Sequence, residues 1–378
     1  MLKYWLWLTS LLLPERISNL MRCYATPEDV YFAPPDDLAV LEFLTEKDRE
    51  SLASKSFDMA EHILEMCEAK RLDIVTLQDA QYPSRLREID DPPGVLYIKG
   101  SLSALSVEPA IAVVGTRSAT PYGLNAAAMF AYNLAKGGMM IVSGMAKGID
   151  TLAHQGALRA GRQTIAVLGC GADIPYPAEN EQLYSDIASM GAVISEFPPG
   201  TRPIGSNFPR RNRVISGLCL GTLVVEAPFR SGALITARVA CEQGRDVFAV
   251  PGSIDAPNSV GCNMLIRDFA ALVSNPADIL SEYAKQFPVE LGVAFKQPSM
   301  PKPPKARLPE KTKTKTDISG LSPEQAAIVK ALRKGMLSVD DIAETTGAGM
   351  RETLSELTML EISGIIRGNG AGGFEIAE

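Results

Sequence analysis

Short apolar runs alternate with stretches of helical periodicity through the middle of the chain. The runs are Ile111–Val114, Met139–Ser143, Thr164–Leu168, Ala192–Glu196, Thr222–Glu226 and Val247–Val250. Between them, Gly123–Lys136, Thr151–Ala160, Ala178–Met190, Arg211–Gly217 and Ala233–Gln243 read as helices. Strands that lack polar alternation are covered on both faces, and strands separated by helices pair in parallel. The pattern predicts a doubly wound α/β domain.

The flanks read differently. Tyr4–Leu13 is an apolar run that predicts a buried first helix. Leu38–Leu44 and Phe57–Lys70 carry apolar residues at three- and four-residue spacing, with a break at Ala33–Asp37, so the first 75 residues are expected to be helical. Turn prolines at Pro83, Pro92 and Pro93 lead into a short strand, Val95–Lys99. Residues 297–317 hold five prolines and many lysines, the composition of a flexible or extended linker. Beyond it, Ser322 and Pro323 cap a helix to Lys334. Helices follow at Val339–Thr345, ended by Gly347, and Met350–Leu360, then a glycine-turned hairpin over Ile362–Ile376. Three helices and a hairpin form a winged-helix pattern.

Composition narrows the function classes. The 378 residues are 46% hydrophobic and 21% charged, a folded composition long enough for two or three domains at roughly 100–200 residues each. Six cysteines without a CxxC pair exclude a zinc ribbon and a dense disulfide scaffold and fit a reducing cytoplasm. Two histidines exclude a His-rich metal site. The apolar run at the N-terminus is about half the ~20 residues that a spanning helix requires, so no membrane is expected. The net charge of −7 disfavours nucleic acid only until it is divided. Residues 1–107 hold 11 Lys+Arg against 18 Asp+Glu, whereas residues 108–275 hold 13 against 12. The acidity sits at the N-terminal end, and the α/β block is locally basic.

In open α/β sheets ligands bind beyond the carboxyl ends of the strands. There the sequence places Gly115-Thr116-Arg117, then Ser143-Gly144 and Lys147-Gly148, then Gly169 and Gly171, then Phe208-Pro209-Arg210-Arg211-Asn212-Arg213, and finally Ser231-Gly232 opening a helix. Glycines let a ligand approach the backbone, arginine forks onto phosphate, and a helix N-terminus attracts anions. Three arginines in four residues would repel one another without an anion, which points to phosphate at Phe208–Arg213. Asp150 reads as a helix N-cap and His154 as a satisfied helix histidine. No GxGxxG with a ribose-binding acid, no GxxxxGK[ST] and no nucleophile–histidine arrangement is present, so no cofactor, metal or catalytic residue is expected.

Taken in order, these segments resemble the DNA-processing protein A (DprA/Smf) family of bacteria. The resemblance runs from Tyr82-Pro83 and Leu96–Gly100 through Val114–Arg117, Val142–Asp150 with Ala153-His154, and Thr164–Gly171. It continues through Tyr176-Pro177, Ile194–Glu196, Phe208–Arg213, Val224–Ala227, Ser231–Thr236 and Val247–Gly252. It implies a helical SAM-like domain at 1–78, an extended Rossmann-like DNA-binding domain at 79–285, a linker at 286–318 and a winged helix at 319–378. It also implies binding of single-stranded DNA, loading of the RecA recombinase in natural transformation, a homodimer and a cytoplasmic location. Arg117 would take a backbone phosphate and Phe208 would stack on a base. Arg210, Arg211 and Arg213 would line the same groove, and Lys147 with its glycines would form a further anion pocket.

Two departures stand out. Many members carry a basic residue shortly before the phenylalanine, where this chain has Gly205-Ser206-Asn207. The N-terminal region lacks a Gly-rich hairpin and is acidic, so it is not expected to touch DNA. A competing reading is a nucleoside-phosphate hydrolase of the same sheet type, with Glu226 in Gly221–Glu226 as its acid, although the glycine pair such enzymes carry is missing. The third winged-helix segment offers Arg351 against Glu352, Glu356 and Glu361, which marks it as an interaction module rather than a groove reader.

Overall fold

The computed structural model describes residues 1–291, 321–333, 335, 337–368 and 373–376. Its main sheet takes nine strands from chain order: β1 Asp73–Thr76, β2 Val95–Gly100, β3 Ala110–Val114, β4 Met140–Ser143, β5 Thr164–Val167, β6 Ala192–Ser195, β7 Gly221–Val224, β8 Asp246–Ala249 and β9 Ala271–Leu272. They lie in the order β1-β2-β6-β5-β4-β3-β7-β8-β9. Every neighbouring pair from β6 to β9 is parallel. On the outer side, β2 runs antiparallel to both β6 and β1. The chain moves from β3 through β4 and β5 to β6 in one direction, then returns to lay β7 on the opposite side of β3. That reversal is a topological switch point.

Alternation along each strand feeds two layers. Ala110, Ala112 and Val114 of β3 pack with Val214 and Ile215 of the helix Asn207–Gly217 and with Ala233 and Ala237 of the helix Gly232–Glu242. Ile111 and Val113 point the other way, onto Phe130 and Leu134 of the helix Pro121–Lys136 and Ala153 of the helix Ile149–Arg159. Gly156 lets the last two helices touch, since a Cβ there would lie 2.8 Å from the Ala131 methyl.

The first helix, Leu2–Leu11, is buried over Trp5, Leu6, Trp7 and Leu8. It shares one apolar cluster with Val95 and Tyr97 of β2, so the helical layer and the sheet edge have a common core. Two expectations are corrected here. The periodic segment Leu38–Leu44 is helical only at its start, as Pro35–Ala39, because Pro35 with Asp36 and Asp37 opens a helix inside the expected break. Asp73–Thr76, within the segment read as helical, is β1; its four residues are too few to show a period, and pairing with Val95–Ile98 makes it a strand.

The chain divides into two compact units, Met1–Pro298 and Ser299–Glu378. In the second, the helices Pro323–Leu332, Val339–Thr346 and Met350–Ile362 join β10 Leu337–Ser338, β11 Ile366–Gly368 and β12 Gly373–Ile376. The strands form a sheet in the order β10-β12-β11 over Ile328, Leu332, Ile342, Leu357 and Leu360, the winged-helix arrangement. The proline- and lysine-rich linker expected at 286–318 lies, from residue 292 onward, outside the described residues. Among those described, no helix is long and apolar enough to cross a membrane.

Trp5 is fully buried and its Nε1 donates to Gln78. Trp5→Ala is expected to lower stability by about 3–5 kcal/mol, the usual cost of emptying so large a core site. A urea titration followed by the fluorescence of the remaining Trp7 would measure it.

Candidate nucleic-acid interface

A crevice of about 660 Å³ opens at the switch point, over the carboxyl ends of β3 and β7. Gly115, Thr116 and Arg117 form one lip, where β3 turns away from the sheet. Tyr176, Phe208 and Gly205 form a second, and Arg230, Ser231 and Gly232 form a third, at the start of the helix Gly232–Glu242. The buried side chains Asp150, Arg211 and Asn212 also line it.

Phe208 is the centre of one wall. It sits in the first turn of the helix Asn207–Gly217, which begins earlier than its periodicity suggests. Its ring packs on Gly169, where a Cβ would stand 2.8 Å from the ring edge. The Tyr176 ring lies 5.5 Å away, tilted by 33°. The guanidinium of Arg117 lies over the Phe208 ring at 5.4 Å, and that of Arg211 at 5.9 Å. Phe208 is half-buried and Arg117 is exposed, so an aromatic face and an exposed cation are presented together.

Arg211 has a different role from the one its sequence context suggests. It is 4% exposed. Its Nη1 donates to the carbonyl of Gly144 at 2.8 Å and to that of Val167, tying the ends of β4 and β5, and its Nε donates to Asn212. Gly144 has no room for a side chain beside it. Asp150 is the nearby counter-charge: burial pushes its carboxyl up to about 6, and Arg211 works against that rise. Burial pushes Arg211 down to about 10. Asp150 is also not the N-cap; it accepts from the N–H groups of Gly144 at 3.2 Å and Ala146 at 3.3 Å, holding the loop after β4.

The other two arginines of the cluster are corrected in the same way. Arg213 is paired with Glu196 at 2.6 Å and Asp91 at 3.0 Å, and is 7% exposed. Arg210 pairs with Glu196 at 3.3 Å and stacks on Phe197. Both line a separate, carboxylate-rimmed hollow rather than the crevice. The anions that relieve the crowded arginines are the protein's own carboxylates.

Several of the other expected residues have partners within the protein. The Ser143 hydroxyl is fully buried and donates to Val113 at 2.6 Å. Lys147 reaches Glu179 at the surface, 2.5 Å away. Gly148, at φ +79°, lets the loop after β4 pass against the Thr116 and Arg117 carbonyls, and Gly171 lies against Asp173 and Gly200. His154 is neutral in the core. Thr164 Oγ1 donates to Ile141, so it accepts from His154 Nδ1 at 2.8 Å, and burial with Arg211 pushes the imidazole down to about 3.

The crevice therefore brings together Gly115, Thr116, Arg117, Phe208, Arg211, Asn212, Ser231 and Gly232 from the sequence reading. It adds Tyr176, which the resemblance included without a role, and Arg230, which stands next to Ser231-Gly232 but belongs to no spacing with chemical meaning by itself. Glu226, the acid a hydrolase would need, is 3% exposed and accepts from Thr120 Oγ1 at 2.6 Å and Thr120 N at 2.8 Å. It holds the start of the helix Pro121–Lys136 and does not line the crevice.

Comparison with known proteins places the chain among relatives of one kind. Residues 73–284 match the family model for DNA recombination-mediator protein A, and residues 310–372 match the DprA winged helix domain. The chain is 34% identical to Protein Smf of Synechocystis over 93% of its own length and 92% of that protein. It is similar to the X-ray structure of DNA processing protein A from Streptococcus pneumoniae, with a TM-score of 0.66 and 37% identity over 75% of this chain and 98% of that one. It is also similar to DNA processing protein A from Helicobacter pylori, whose structure concerns a unique single-stranded DNA binding mode. There the TM-score is 0.52 and the identity 30% over 57% of this chain and 98% of that one.

Removing Arg211 would leave Asp150 buried without its counter-charge and two strand-end carbonyls without a donor. Arg211→Ala is expected to cost about 3–5 kcal/mol of stability, the range for breaking a buried ionic network. Arg117→Ala should leave the unfolding midpoint unchanged. Parallel urea titrations of the two variants would check the contrast.

Proposed function

The chain belongs to the DNA recombination-mediator protein A family, and from that membership we propose that it binds single-stranded DNA in the switch-point crevice. The observation that carries this reading is the Phe208 platform: a half-buried ring on Gly169, flanked by Tyr176, with the free guanidinium of Arg117 over it. A base stacks on the aromatic face while Arg117 takes the neighbouring phosphate, the sequence-tolerant recipe for single strands. The relative from Helicobacter pylori, whose structure concerns its single-stranded DNA binding mode, supports the reading by its likeness over 57% of this chain.

The same proposal includes delivery of the bound strand to the RecA recombinase, action as a homodimer and a cytoplasmic location. The recombination-mediator character of the family supports the first of these. Catalysis is not part of this reading, since Glu226 is engaged with Thr120. The winged helix is an interaction module. On its helix Met350–Ile362, Arg351 is outnumbered by Glu352, Glu356 and Glu361, which would meet a phosphate field unfavourably.

Binding should favour oligo-dT over matched duplex and weaken with salt, with a negative log–log slope of about 0.7 for each phosphate held. Phe208→Ala and Arg117→Ala should each cost about 1–3 kcal/mol in fluorescence-anisotropy titrations. Equal affinity for duplex at every salt concentration, or full binding by both variants, would overturn the reading.

Deleting residues 311–378 should leave oligo-dT affinity within about threefold, under ~1 kcal/mol. The defect should appear instead in RecA filament assembly on the DNA. A loss of about tenfold or more in DNA affinity on removing residues 321–378, with the linker retained, would mean that the acidic helix was misjudged.

A further inference from the structure

The crevice has a second cation that no ion pair neutralises. Of the arginines and lysines expected to hold phosphate, Arg211 is buried on backbone carbonyls, Arg210 and Arg213 are held by Glu196, and Lys147 is held by Glu179. Arg117 and Arg230 line the crevice, are exposed, and have no ion pair among the described residues. They stand on different strand ends: Arg117 follows β3, and Arg230 follows β7 across the switch point.

Arg230 is not alone. Its neighbour Phe229 is 60% exposed, an aromatic side chain with no packing partner among the described rings. The next residue, Ser231, caps the helix Gly232–Glu242 and accepts from Ala233 N. That helix has no acidic residue in its first turn, and the space above Gly232 is open. Its positive end is therefore uncompensated and faces the same lip as Arg230. The turn Phe229–Gly232 thus offers the residue types of the Phe208 wall, an exposed aromatic next in sequence to a free guanidinium, with a helix N-terminus added.

We propose that this turn is a second nucleotide-binding station: Arg230 and the start of the helix hold a phosphate, and Phe229 stacks on a base of the same strand. The inference rests on the single-strand reading above and extends it. A strand held at Arg117 and Phe208 continues across the switch point to Arg230 and Phe229, so its path runs transverse to the sheet rather than along the Phe208 helix. The cluster of three arginines on that helix then contributes no phosphate contact.

The test is anisotropy titration of the full chain with an oligo-dT of about 20 nucleotides, longer than the usual track of one fold, across a range of salt concentrations. Arg230→Ala should weaken binding about tenfold and lower the salt slope by about one, the mark of a lost phosphate contact. Arg230→Lys should keep the slope. Phe229→Ala should weaken binding by a similar factor without changing the slope, because stacking releases no counterion. Both side chains are exposed, and a melting curve for each variant would establish that it is folded. If Arg230→Ala and Phe229→Ala bind like the parent while Arg117→Ala and Phe208→Ala are weakened, the second station is refuted and the crevice reading stands. If all four bind like the parent, the crevice reading falls and this inference falls with it.

Discussion

The buried guanidinium of Arg211 is the constraint around which the site is arranged. A desolvated cation is tolerated only when it is fully hydrogen-bonded and matched by opposite charge. Arg211 meets that condition by drawing in the carbonyls of Gly144 and Val167 and by lying near Asp150. Asp150 in turn grips the loop after β4. The ends of β4 and β5, and the helix that carries Arg211, are thereby locked to one another. Phe208 lies one turn earlier on that helix, so the lock also seats its ring on Gly169 and under Arg117. The ligand-binding surface is built on a buried charge.

A second ionic group, Glu196 with Arg210, Arg213 and Asp91, anchors the same helix on its far side. Burial pushes the carboxyls of Glu196 and Asp91 upward and the arginines oppose that shift. These pairs are structural ties that carry a desolvation cost, which the arginines offset only in part. The consequence for function is a division of labour among like residues. The arginines of the helix Asn207–Gly217 fasten it to strand ends and to nearby carboxylates. Those on the lips, Arg117 and Arg230, keep their charge available to an anion.

Topology explains why the lips converge. The chain reverses direction at β3, so the loops after β3 and β7 diverge to opposite faces and leave a gap between them. Glycines then admit close approach where the loops must cross, as at Gly148 against the carbonyls of Thr116 and Arg117. Glu226 holds Thr120 at the start of the helix Pro121–Lys136, which turns a carboxylate that could have been chemical into a helix anchor.

The α/β layer was legible in the chain because it is written in local periodicity: the apolar runs from Ile111 to Val250 and the helices between them need only neighbours in sequence to declare themselves. The winged-helix segments, with their serine and glycine caps, were legible for the same reason. The loops that carry Gly115–Arg117, Phe208 and Ser231-Gly232 could be placed at strand ends, and the crevice gathers them. Two things were decided only by the tertiary structure. One is β1, four residues that become a strand because β2 offers an edge. The other is the fate of each charge. Asp91, Glu196 and Glu179 lie far along the chain from the cations they neutralise. The carbonyls that hold Arg211 belong to other strands, and carry no mark in the sequence at all. Periodicity is a property of neighbours, whereas the state of an ion depends on which distant groups share its volume and on how much water folding has removed.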